Sequence, residues 1–301
     1  MIEIKSEYGV GPKGYSENPF EEGGAPSRLN TFRNYREYIE YLLWEGSNVF
    51  QDGIDGGLDL WAGALEAEEL FFNPIYKDGD LPRGDGSCVL IIPGFGGGDL
   101  SYKLPKDNLR ELGWDAEVYP VKFGTHIEPT EDMIDPLIVY AKKKFKSSGR
   151  KIHIIGHSKG GHVVLAAAIL RTEELAESAD QLVIADAPIP DKVNFQIGVG
   201  YLAMQAIFGG NDFSLTELAN DQEGLERIEQ HFRLTTMRVI RRKIINGLDV
   251  GSDANIFEAD CSHTGILNKP VILRFVHTRL ARPLGPSQEM STVQTFQQKA
   301  A

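Results

Sequence analysis

Cysteine is scarce, with two in 301 residues. Cys88 and Cys261 are too few for a disulfide framework or a structural zinc site. They read as small buried residues on strands that lie well apart in a sheet. Long apolar runs are missing too. None approaches the roughly 18–20 residues needed to span a bilayer, so no transmembrane segment is expected. Positive charge is in deficit, with 31 Lys and Arg against 43 Asp and Glu and a net charge of -12. That balance argues against nucleic acid as a partner and against electrostatic docking on anionic membranes. The opening stretch "MIEIKSEYGVGPKGYSENPF" has no basic segment followed by an apolar one. No secretory signal is legible there, and a cytoplasmic location is expected.

What remains is enough to fold. An apolar content of 42% supports one large core in one or two domains. Residues 1–30 are rich in Gly, Pro, Glu and Ser. Residues 31–75 hold two apolar patterns at helical spacing, "TFRNYREYIEYLLWEGSNVF" and "LDLWAGALEAEELFF", separated by the breaker "DGIDGG". Both are read as packing helices. A turn-rich linker, "KDGDLPRGDGS", follows.

From Cys88 onward, short apolar runs alternate with helical stretches. The strands are "CVLIIPGF", "DAEVYPVKF", "KIHIIGHS", "DQLVIADAP", "RLTTMRVIRR" and "ANIFEADC". Between them "YKLPKDNLRELG", "TEDMIDPLIVYAKKKFKS" and "GGHVVLAAAILRTEELAE" read as helices, and "KPVILRFVHTRLA" closes the series. Strands that are apolar on both sides and alternate with helices predict a mostly parallel sheet covered on both faces. "CVLIIPGF" and "KIHIIGHS" are expected to be central neighbours.

The stretch "IIGHSKGG" carries the chemistry. It puts Ser158 at the seam between a strand and a helix, with glycines on both sides. Gly156 and Gly160 remove the Cβ atoms that would block a tight turn, and Gly161 lets the helix approach the neighbouring strand. A serine in such a turn sits in strained backbone geometry with its hydroxyl exposed above the sheet edge. The N–H of Lys159 then points where an oxyanion would form. In "PGFGGG" a strand ends in glycines that allow close backbone approach to a ligand. A phosphate cradle is disfavoured, because no G-K-[ST] follows.

In these motifs the chain resembles the α/β-hydrolase superfamily, in its bacterial lipase/esterase-like branch, over about residues 82 to 280. "PRGDGSCVLIIPGFGGGDLSY" is similar to the branch's oxyanion region. "GHSKGG" is similar to its nucleophile elbow, and "NIFEADCSHTGILNKPVILRFV" to its last strand, histidine loop and closing helix. The resemblance implies an α/β-hydrolase fold with Phe95 N–H as the second oxyanion donor. His263, just past a strand end, is expected to act as general base and then general acid. His153, His157, His162, His231 and His277 are read as packed or helical residues, and His126 as structural polarity beside the pocket.

The acid departs from the branch's pattern. The resemblance implies an aspartate after the penultimate strand, where this chain has Asn246. Asp253 falls at the wrong end of the sheet. Asp186, at the end of the strand after the elbow strand, is the preferred acid, as in pancreatic-type lipases. Asp249 is the alternative. Residues 190–233 are expected to form a helical cap or lid over the serine. The expected organisation is then an extension over residues 1–81, a catalytic unit over 82–283 and a tail over 284–301. The expected activity is cleavage of carboxylic esters of small acyl or lipid substrates through an acyl-enzyme, with no metal or organic cofactor. Acyl transfer or thioester cleavage on the same site is one alternative. A non-catalytic binding protein that keeps the fold is another.

Overall fold

The structure, a computed structural model, describes residues 54–77, 79–121, 130–187, 221–239 and 256–282. The expected helix over 31–50, Asn246, Asp249, Asp253, His126 and the tail lie outside the described residues.

The architecture follows from strands that are apolar on both sides. Six strands, β1 (Cys88–Ile92), β2 (Asp115–Val118), β3 (Ile152–His157), β4 (Ala179–Ala185), β5 (Arg233–Val239) and β6 (Ile256–Ala259), form one sheet in the order β2-β1-β3-β4-β5-β6. Every described strand pair is parallel. β1 and β3 are neighbours, in register from Val89 with His153 to Ile92 with Gly156. Each residue of both strands is buried.

Alternate residues feed two cores, as the twofold strand period requires. One face carries Leu90, Ile92, Ile154, Leu182 and Ile184. It is covered by α3 (Thr130–Ser148), α4 (Lys159–Leu170), α5 (Thr172–Ala176) and α6 (Gln222–His231). The other face carries Val89, Ile91, Ile155, Val183 and Met237. Helices α1 (Ile54–Phe72), α2 (Lys103–Glu111) and α7 (Pro270–Leu280) cover it, through Leu70, Leu109, Leu273 and their neighbours. No helix among the described residues is long and apolar enough to cross a membrane. Cys88 and Cys261 are buried and free; Cys88 lies on β1, whereas Cys261, expected on a strand, lies just past the end of β6.

Three local expectations are corrected. Helix α1 begins at Ile54, inside "DGIDGG". A glycine costs a helix about 1 kcal/mol, and packing of the residues that follow outweighs it. The helix expected over 160–177 is broken at Arg171, which has φ -136 and ψ 42. There the Thr172 hydroxyl donates to the carbonyls of Ala168 and Ile169 and so competes with the helix ladder. Of the segment 190–233 expected as a cap, residues 221–233 are described, and these pack against the sheet. Its last helix, α6, is capped by the Asp221 side chain accepting from Gly224 N–H at 3.0 Å. It buries Ile228 in the core, so it is a crossover helix rather than a lid. Residues 188–220 are outside the described part.

Two buried histidines on β3 give a testable consequence. His153 and His157 are both pushed down to about 4 from an ordinary 6.5, chiefly by burial. The unfolded chain takes up these protons near pH 6.5, whereas the folded chain holds both rings neutral until about pH 4. Stability is therefore full above pH 6.5 and falls with acidification. From pH 7 to pH 5 the loss is about 2 kcal/mol per histidine, read as a lower denaturant midpoint. His153→Gln is expected to remove its share of that dependence.

Candidate active site

Because all strands run one way, their C-terminal ends share one edge. Gly156 pairs with Ile184 and His157 with Ala185, so the residues that follow β3 and β4 emerge side by side. Ser158 N–H donates to Ala185 C=O at 3.0 Å, and Asp186 N–H to Met237 C=O at 2.8 Å. Ser158 (φ 53) and Asp186 (φ 45) are the two non-glycine residues with positive φ among the described residues. Each such conformation costs about 1–3 kcal/mol and persists only where its surroundings enforce it.

The enforcement at Ser158 is steric. A Cβ on Gly160 would lie 2.2 Å from the Ile92 carbonyl oxygen, and one on Gly156 would lie 2.6 Å from Gly160 O. Helix α4 therefore starts directly against β1, with Lys159 as its first residue. The Ser158 hydroxyl does not cap α4. It pairs instead with His263 Nε2 at 2.9 Å.

His263 follows β6, and its Nδ1 lies 2.5 Å from Asp186 Oδ2. Asp186 is fully buried, and its Oδ1 accepts from Val239 N–H at 3.1 Å. Burial would raise its pKa. The hydrogen bond and charge of His263, with the Val239 N–H, outweigh burial and hold the carboxyl below its usual range. Hydroxyl, imidazole and ionised carboxylate thus form one hydrogen-bonded line. Of the two aspartates considered, Asp186 meets the ring. Asp249 lies outside the described residues.

The cavity beside this line has a volume of about 110 Å³. Its walls are the Gly94–Gly97 loop with a half-exposed Phe95, the Ile266–Asn268 turn, and Gly63 of α1. The boundary expected near residue 82 separates in sequence what is joined here in space.

A second hydrogen-bonded chain ties the walls together, and its members were not legible as site residues. His157 Nε2 lies 2.8 Å from the His263 carbonyl. A carbonyl only accepts, so that nitrogen carries the proton and Nδ1 accepts. Tyr102 O–H donates to Nδ1 at 2.6 Å, and the phenol oxygen accepts from Gly94 N–H at 2.8 Å. The low pKa of His157 agrees with this neutral tautomer, being lowered by burial and then by His263. The only sequence signal was the position of His157 inside the elbow.

No family model matches the sequence, and no curated protein matches it. Solved structures do. The chain is similar to a structure of the metagenome-derived lipolytic enzymes LipS and LipT, at 13% identity and a TM-score of 0.51, over 66% of this chain and 95% of that one. It is also similar to a Bacillus licheniformis lipase in its propeptide form, at 14% identity and a TM-score of 0.50. That match covers 70% of this chain and 54% of the other. The mature form of that lipase matches at 12% identity and a TM-score of 0.48, over 67% and 94%. At such identities the likeness speaks for the fold. The chain has the α/β-hydrolase fold.

Tyr102→Phe tests the second chain. It leaves Gly94 N–H and His157 Nδ1 buried without a partner, at about 1–3 kcal/mol each. Chemical denaturation is expected to show a loss of about 2–6 kcal/mol at pH 7.

Proposed function

We propose that this protein is a serine hydrolase that cleaves carboxylic esters through an acyl-enzyme. The observation that carries the reading is the line Ser158 Oγ, His263 Nε2, His263 Nδ1, Asp186 Oδ2, with heavy-atom separations of 2.9 Å and 2.5 Å. The first is within reach for proton transfer, and the second is a short charge-assisted hydrogen bond that orients the ring.

In this reading Ser158 Oγ attacks the ester carbonyl carbon while its proton passes to His263 Nε2. The carbonyl oxygen becomes an oxyanion, held by the N–H groups of Phe95 and Lys159. One such donor is worth about 3–4 kcal/mol. His263 returns the proton to the departing alkoxide, the C–O bond breaks, and the acyl group stays on Ser158. Water then gives its proton to His263 and attacks the acyl carbon. The acid product leaves and Ser158 regains its proton. Asp186 stays ionised, keeps the ring in the Nδ1–H tautomer and stabilises the imidazolium. Its low pKa supports that role. The lipolytic activity named for the similar structures points the same way.

Turnover of p-nitrophenyl esters and labelling by a fluorophosphonate probe test the proposal. Wild type is expected to do both, and Ser158→Ala neither. Unlabelled wild type, or undiminished labelling of Ser158→Ala, would refute the nucleophile. Asp186→Asn is expected to fold and to lose up to about 10⁴-fold in kcat.

A further inference from the structure

Helix α1 precedes the sheet by more than a dozen residues of chain, yet it bonds the loop that carries His263. Asp59 Oδ1 accepts from His263 N–H and Asp59 Oδ2 from Thr264 N–H, each at 2.9 Å. The Asp59 backbone carbonyl accepts from the Thr264 hydroxyl at 2.9 Å. Two turns further on, Glu66 accepts from Ser262 N–H at 2.9 Å and from the Ser262 hydroxyl at 2.5 Å. Three successive backbone N–H groups, 262 to 264, thus end on two carboxylates of one helix. Both carboxylate residues are buried, at 6% exposure each.

The fit between helix and loop is close. Asp59, Gly63 and Glu66 stand at i, i+4 and i+7, on one helix face. A Cβ on Gly63 would lie 2.4 Å from Thr264 Oγ1, and one on Gly265 would lie 1.8 Å from Glu66 Oε2. Bulk at either position would push the loop off the helix.

We infer that Asp59 and Glu66 are positioning residues, by which α1 sets the backbone of the histidine loop so that the His263 ring spans Ser158 and Asp186. The inference rests on the serine-hydrolase reading for its kinetic consequence and on the hydrogen bonds for its geometry. The ring must meet a hydroxyl on one side and a carboxylate on the other, so it has little freedom to drift. The loop follows β6, three strands away from β3 in the sheet order, and the sheet alone does not fix a loop at that range. Asp59 pins the backbone at His263 itself. Glu66 pins the residue before it and burial raises its carboxyl above the usual range, against the two Ser262 hydrogen bonds.

The experiment compares Asp59→Asn, Gly63→Ala and Glu69→Gln with wild type in the full chain. Asn presents an NH₂ where the loop needs an acceptor. Gly63→Ala keeps every charge, favours the helix and moves Thr264. Glu69 pairs with Lys269 at 2.5 Å, at the far end of the connection next to α7, and makes no bond to residues 262–265 among those described. Glu69→Gln is therefore the control that removes a charge of α1 and leaves the Asp59 and Glu66 bonds in place. For the first two variants kcat and the fluorophosphonate labelling rate are expected to fall about 10–100-fold with KM little changed, as for an ångström-scale misplacement. Both are expected to remain folded at the assay temperature, with a melting temperature lowered by a few degrees at most. Combined with Asp186→Asn, Asp59→Asn should add little, since both act through one imidazole. Folded variants with wild-type kcat, or a fully additive double variant, would overturn the inference. Nitrogen-15 NMR of the His263 ring keeps the two readings distinguishable. If wild type takes no probe, ester hydrolysis fails. The ring spectrum then decides the clamp: an Nδ1–H signal weakened in Asp59→Asn supports it, and an unchanged one refutes it.

Discussion

The site depends on a near-collision between two backbones. Helix α4 starts so close to β1 that only glycine fits at position 160, where any Cβ would lie 2.2 Å from the Ile92 carbonyl oxygen. A helix beginning there leaves the chain no room for an ordinary turn after β3. Ser158 is driven to positive φ, and its hydroxyl is presented at the sheet edge instead of capping the helix. The other features of the site are arranged around that fixed point.

The partners come from separate places and are held by separate means. Asp186 follows the adjacent strand and is fixed to β5 twice, by its N–H donating to the Met237 carbonyl and by its carboxylate accepting from Val239 N–H. His263 follows β6 and has no strand neighbour beside the elbow. It is gripped by α1 on one side, and its carbonyl accepts from His157 on the other. The same His157 leads through Tyr102 to Gly94, so the glycine loop, the elbow and the histidine loop share one hydrogen-bonded chain.

How much of this could be read from sequence follows the range of the interactions. The elbow is local: strand, glycine, serine, glycine and helix lie within a dozen residues, and turn chemistry predicts the geometry. The parallel sheet was legible from strands apolar on both sides. Asp186 was legible because strand ends of a parallel sheet gather at one edge. The α1 contacts were not, since Asp59 and Glu66 lie 196 to 205 residues from their partners. In a helical pattern two carboxylates read as a solvated face. The Arg171 break was hidden because its cause is a side-chain bond from Thr172, and helical periodicity carries no trace of it.

The positive φ angles of Ser158 and Asp186 have an evolutionary consequence. Both positions would be more comfortable as glycine, and a screen that rewarded thermal resistance alone would drift toward that residue. Such a drift would erase the hydroxyl and the carboxylate together while leaving the fold intact. On the serine-hydrolase reading, the most durable version of this chain is therefore an inert one.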